Sequence, residues 1–150
     1  MSNPPKRLER IASYFEQLDE QSRRERLIAF AEQSDKWLPR PDDKILYQDI
    51  RKDEECLDEV GVFIADDGEG LVWRMQYGKD VQILTRAIGT ILSDGLNHAK
   101  PEEVISLPAD VIHQIIGQQL FRNRSQSIYY IFNRIKQAMK RYLEETNSGR

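Results

Sequence analysis

The sequence predicts an α+β fold: a small antiparallel sheet of two to three strands packed against N- and C-terminal helices. Two observations predict it. Apolar residues at helical spacing occupy both ends of the chain, and between them stand two β-rich runs joined by an Asp-Gly turn. Helices, then strands, then helices is the order of a segregated fold, not of alternating strand–helix units. A bare meander of this size is marginal alone, so helices must cover one of its faces.

The N-terminal helices come first. Pro4 and Pro5 suit a helix start, and Leu8, Ile11, Tyr14, Phe15 and Leu18 follow at spacings that form one apolar face. A polar break over residues 19–22 precedes a second helix, with Leu27, Ile28, Phe30 and Ala31 expected to face inward. Pro39 and Pro41 close this region, since neither continues a helix. The two helices read as a hairpin.

Residues 42–59 are dense in mixed charge and read as a loop, with a short strand around Tyr47 to Arg51. Val60 to Ala65 is β-branched and aromatic, residues 66–70 (DDGEG) form a turn, and Leu71 to Tyr77 is the partner strand. Asp80 is the expected N-cap of the most apolar helix, which holds Val81, Ile83, Leu84, Ala87, Ile88, Ile91 and Leu92 and stops at Gly95. Pro101 opens a short helix within residues 100–107. Val111, Ile112, Ile115 and Ile116 form the buried set of another within 108–117. Ser125 is the expected cap of a long last helix reaching about Glu145, with Ile128, Ile131, Phe132, Ile135, Met139 and Tyr142 on its apolar side. Trp37 and Trp73 read as packing residues.

No repeat, low-complexity tract or linker interrupts the 150 residues, which predicts one domain over 1–150 with a core of about 6–143. At 39% hydrophobic and 31% charged, the composition is that of a folded protein. A net charge of -3 argues against nucleic acid as the main partner. The expected setting is cytoplasmic: no apolar run is long enough to span a bilayer, and MSNPPKRLER lacks the apolar stretch of a signal peptide. His98 and His113 are far apart in sequence and neither has a neighbouring Cys or His at ligand spacing, so no metal site is expected. Phosphate-loop and nucleophile-elbow patterns are missing, and no cofactor is expected.

Cys56 is the only cysteine, which excludes an internal disulfide and fits a reducing compartment. A structural cysteine is expected among apolar neighbours. The neighbours of Cys56 are instead Glu54, Glu55, Asp58 and Glu59, which places it on a partly exposed loop between an acidic stretch and a strand. Those carboxylates also oppose thiolate formation, so its position alone leaves both a reactive and an inert thiol open.

The pattern as a whole resembles the SufE family of cysteine-desulfurase sulfur acceptors, over roughly Leu8 to Lys140. The residues that carry the resemblance are Cys56 after the helix pair, Val60 and Val62, Gly70 at the turn and Asp80 ahead of the apolar helix. PEEVISLP (101–108) and NRSQS (123–127) complete it, the latter aligning Arg124 with the characteristic arginine of the family. The resemblance implies a SufE/IscU-like fold and a sulfur carrier, sulfurtransferase-like rather than a stand-alone enzyme, in which Cys56 is the persulfide acceptor. It implies a SufS-like cysteine desulfurase as the partner that holds the pyridoxal phosphate, and a downstream iron–sulfur scaffold as recipient. No nucleic acid or membrane is implied, and the chain is expected as a monomer or weak homodimer. Arg124 is the candidate supporting charge, and otherwise a solvated arginine ahead of a helix cap. Glu55, Asp58 and Asp80 are the candidate partner-binding residues. Lys136, Lys140 and Arg141 read as a solvated face near a helix C-terminus.

The chain departs from the family pattern at four points. Glu55 stands where glycine precedes the cysteine, Asp58 where serine follows two positions later, Gly61 where tryptophan follows the first valine, and Ser127 where the arginine motif has glycine. The acidic residues favour an alternative: a divergent non-catalytic module that docks a desulfurase without accepting sulfur.

Overall fold

The computed structural model describes residues 4–52 and 59–148, without the side chains of residues 51, 52, 119–128 and 148. Helices α1 (Lys6–Glu16) and α2 (Glu20–Glu32) form the expected hairpin. Pro5 occupies the N-cap of α1. Asp19 caps α2, its carboxylate accepting the Ser22 backbone N–H at 2.8 Å. That bond holds the Asp19 carboxyl below the usual carboxylate range. Leu8, Ala12 and Phe15 of α1 are buried, as are Leu27 and Ala31 of α2. Tyr14 and Ile28, expected to face inward, are instead 44% and 47% exposed. Successive residues on a helix differ by about 100° in direction, so Leu27 and Ile28 cannot both face one neighbour. A short 3₁₀ turn, Ser34–Trp37, follows α2.

Three antiparallel strands, β1 (Lys44–Lys52), β2 (Glu59–Asp66) and β3 (Leu71–Tyr77), make a sheet of order β1-β2-β3. The β2–β3 turn is the expected one. Asp67 Oδ1 accepts the N–H groups of Glu69 and Gly70 at 2.9 and 3.2 Å, and Gly68 takes a positive φ of 95°. Strand β1 is much longer than the short strand expected. Its register shifts between Ile45, opposite Ala65, and Tyr47, opposite Ile64. Leu46 is thus the extra residue of a bulge, and the bulge breaks the period-two alternation by which a strand is recognised.

Helices α3 (Ile83–Gly95), α4 (Pro101–Ile105), α5 (Asp110–Ile116) and α6 (Gln118–Ser148) complete the chain. Two expected caps are corrected. Gln82, not Asp80, is the N-cap of α3, because the chain first makes a turn in which the Val81 N–H bonds Gly78 O at 3.2 Å. Ser125 lies inside α6, which begins directly after Gly117. Gly117 has a φ of 81°, and the Arg23 guanidinium packs where a side chain would stand. A left-handed residue ends α5, and the helix resumes at once.

The inner face of the sheet buries Val60, Val62, Ile64, Trp73 and Met75 completely. They join one core with Ile88, Ile91 and Leu92 of α3 and Ile131, Ile135 and Met139 of α6. Each such side chain contributes about 1.5–3 kcal/mol on burial. Helix α3 is central, packing on α1, α2, α6 and β3. The opposite face is also covered at one end, where Phe63, Ala65, Val72 and Arg74 are buried. There the Trp37 ring lies 5.9 Å from the Arg74 guanidinium, and Arg74 donates from Nε and Nη2 to the two Asp43 carboxylate oxygens at 2.9 and 3.3 Å. At the other end this face opens, leaving Ile50 52% exposed. Among the described residues no helix is long and apolar enough to cross a membrane.

Candidate functional site

The last paired residues of the first hairpin are Lys52 and Glu59. Residues 53–58 join them, and with them Cys56, Glu55 and Asp58, three of the five sequence-predicted site residues, lie outside the described residues. The described structure fixes both ends of this connection.

From the α6 side the anchor is Arg134, 2% exposed. Its Nη2 donates to the Asp49 carbonyl of β1 at 2.7 Å and to the Val60 carbonyl of β2 at 2.9 Å. Its Nη1 donates to the Tyr130 hydroxyl at 2.7 Å, and the guanidinium lies 5.4 Å from that ring. Nε is 3.4 Å from Asp49 Oδ2 but makes no aligned hydrogen bond. One planar fork therefore ties a helix to both strands where they lead into the Cys56 connection. A lysine ammonium has no such fork.

From the β3 side, the Gly78 N–H donates to Glu59 O at 2.8 Å. Arg86 of α3 then holds Gly78 O through Nη2 at 2.9 Å and reaches Val81 O through Nε at 3.4 Å. Its guanidinium lies 5.3 Å from the ring of Tyr77. The Tyr77 hydroxyl is buried against Gly89, where any side chain would displace it, and burial pushes its pKa up. Both arginines are held chiefly by carbonyl groups. They keep positive charge at the end of the sheet whose connecting segment contains Glu54, Glu55 and Asp58.

The remaining predicted residues separate. Asp80 is exposed, in the turn after β3, at the same end of the sheet as the Cys56 connection. Arg124 lies in the first two turns of α6, so it does not precede a helix cap. Gly61 has Ile50 Cγ1 and the Phe63 ring each 3.1 Å from where its Cβ would be, so these two side chains fill the space above it.

Arg134 and Arg86 went unread in the sequence. For Arg134 a signal existed: it falls between Ile131, Ile135 and Ala138 on the buried side of α6, and a charge in an apolar stripe needs a partner. Lys136 also departs from the solvated face expected of it. It is half-buried, donates to Leu107 O at 2.9 Å, and burial lowers its pKa. His98 has two carboxylates, Asp67 and Glu69, beside it in space. Its Nε2 is 2.8 Å from Asp67 Oδ2, linking the β2–β3 turn to the α3–α4 connection.

The family described as "SufE: Fe-S metabolism associated domain" matches residues 9–139. Among solved structures the chain is similar to a hypothetical protein from Thermus thermophilus, a solution structure. The TM-score is 0.68 at 18% identity, over 95% of this chain and 99% of that one. That likeness concerns the fold. Among curated proteins none matches.

Proposed function

Given that the chain belongs to the SufE family of Fe-S metabolism associated domains, we propose that it is a sulfur acceptor working as one domain: it takes persulfide sulfur from a cysteine desulfurase onto Cys56 and relays it toward iron–sulfur cluster assembly, stimulating the desulfurase as it does so. The observation that carries this reading is the family match across the chain, with its only cysteine in the short connection between two strands whose ends are held from α6 and α3.

The chemistry is thiol exchange. The Cys56 thiolate attacks the outer sulfur of the partner's persulfide, and the bond between its two sulfurs breaks. The partner's cysteine leaves as thiolate, and the outer sulfur stays on Cys56 as a new persulfide. No oxidant or reductant is consumed. A segment between anchored strands suits the task, because the nucleophile must reach into another protein's cleft while its base stays in place. A reducing, cytoplasmic setting keeps the lone thiol available. Arg124 supplies supporting charge, and Glu55, Asp58 and Asp80 contribute to the surface met by the desulfurase.

The acidic residues beside Cys56 favour a second reading, docking without sulfur transfer, since they raise the cost of the thiolate. Mass spectrometry after incubation with a cysteine desulfurase and free cysteine separates the two. Sulfur acceptance adds one or more sulfur atoms to Cys56, removable by a reductant and absent in Cys56→Ser. A docking module binds the desulfurase with Cys56 unmodified.

A further inference from the structure

Arg134 turns one nitrogen of its buried guanidinium, Nη2, to both of the strands that flank the Cys56 connection. Burying a cation costs several kcal/mol unless it is well paired, and a nearby carboxylate is the usual partner. Here, among the described residues, the only carboxylate contact is the unaligned one of Nε with Asp49 at 3.4 Å. The well-formed bonds go to Asp49 O, Val60 O and the Tyr130 hydroxyl. Asp49 and Val60 sit on different strands, and neither faces the other across the ladder: Asp49 opposes Val62, and Val60 opposes Arg51. Nη2 thus bridges the ladder diagonally, between rungs two apart with the Ile50–Gly61 pair between them. Val60 is one residue from Glu59 and Asp49 three from Lys52, the residues at which the connection departs. Any splaying of the hairpin base would break one of the two carbonyl bonds.

We propose that Arg134 is a positioning residue for sulfur transfer: joined to α6, it locks the hairpin base that carries Cys56, so that the thiol is presented from a fixed root. This rests on the reading of Cys56 as the sulfur acceptor. Arg134 acts through backbone carbonyls and contributes neither proton nor charge to the reacting sulfur. Charge alone therefore cannot replace it, and Arg134→Lys, which keeps the cation and loses the fork, is the telling variant.

The test measures sulfur transfer to Cys56 from a cysteine desulfurase, at saturating and at limiting desulfurase, with amide hydrogen exchange over residues 49–52 and 59–62. In Arg134→Lys, exchange at the hairpin base is expected to rise roughly tenfold or more as these strand ends open locally. The saturated transfer rate is expected to fall roughly tenfold, as misplacement of a reacting group does, with the half-saturating desulfurase concentration little changed. Arg74→Lys, on the opposite face of the same sheet, is expected to lower stability while leaving saturated transfer per folded molecule as in the parent. Tyr130→Phe, which removes one hydroxyl from the same fork, gives a smaller change of the same kind and serves if Arg134→Lys does not fold. Transfer per folded molecule unchanged in Arg134→Lys, or in Tyr130→Phe where the former does not fold, overturns the positioning role. An equal loss in Arg74→Lys overturns it too. A parent protein that acquires no sulfur on Cys56 removes the acceptor reading itself and this inference with it.

Discussion

The two faces of the sheet each bury an arginine, and the two are held in opposite ways. Arg74 is 2% exposed and meets a carboxylate, Asp43, 3% exposed, in a two-pronged ion pair beneath Trp37. Arg134, equally buried, is held mainly by carbonyl oxygens and a phenol. The end of the sheet toward Asp43 is closed on both faces and carries a neutralised charge. The other end leaves Ile50 exposed on its outer face and is where the Cys56 connection departs. A buried arginine can thus serve as a plug or as a bracket, and the partner it chooses tells which. Asp43 on Arg74 satisfies a charge; carbonyls from two strands on Arg134 fix a geometry.

The largest effect is expected at the plug. Arg74→Met leaves Asp43 buried without its cation, held only by the Arg40 N–H, and should lower unfolding free energy by about 3–5 kcal/mol in denaturant melts. Adding Asp43→Leu should restore most of the loss, since the penalty belongs to the orphaned charge. At the bracket end, Gly89→Ala drives a methyl group into the Tyr77 hydroxyl and should cost about 1–3 kcal/mol, partly relieved in a Tyr77→Phe background.

The pH dependence follows from Asp43. Burial raises the pKa of its carboxyl, but the hydrogen bonds from Arg74 and the Arg40 N–H outweigh burial and hold it below its ordinary value. The native state therefore binds fewer protons than the unfolded chain. The stability this contributes is complete above about pH 4 and is lost as pH falls further. Unfolding measured from pH 6 down to pH 2 should show a steeper decline in the parent than in Asp43→Asn. The smallest effect is expected on the open outer face: Ile50→Thr should change stability by less than about 0.5 kcal/mol.

The helix hairpin, the β2–β3 hairpin and the central α3 were legible because periodicity and turn chemistry agree there. Strand β1 was legible only over Tyr47 to Arg51, because the bulge at Leu46 places Ile45, Leu46, Tyr47 and Ile50 out of any alternating pattern. The beginning of α6 was hidden by Ser125, a good cap in isolation that a helix nonetheless runs through. Asp80 misled in the same way, being a capping residue type that stands inside a turn, two residues before the cap. Cys56 was conspicuous as the only thiol in an acidic neighbourhood. The brackets around it were obscure, because Arg134 and Arg86 bond to backbone carbonyls, and every residue has one of those.

The extra residue in β1 also decides which half of that strand meets α6. Counting from Ile45 in steps of two would send Asp49 to the solvent side with Ile45, and Ile50 inward. With Leu46 set aside, the parity inverts, so Asp49 looks toward Arg134 while Ile45 and Ile50 share the outer surface. Deleting that one leucine would leave the strand unable to satisfy both halves at once. Either the Lys44–Ile45 end or the Asp49 end would have to turn over.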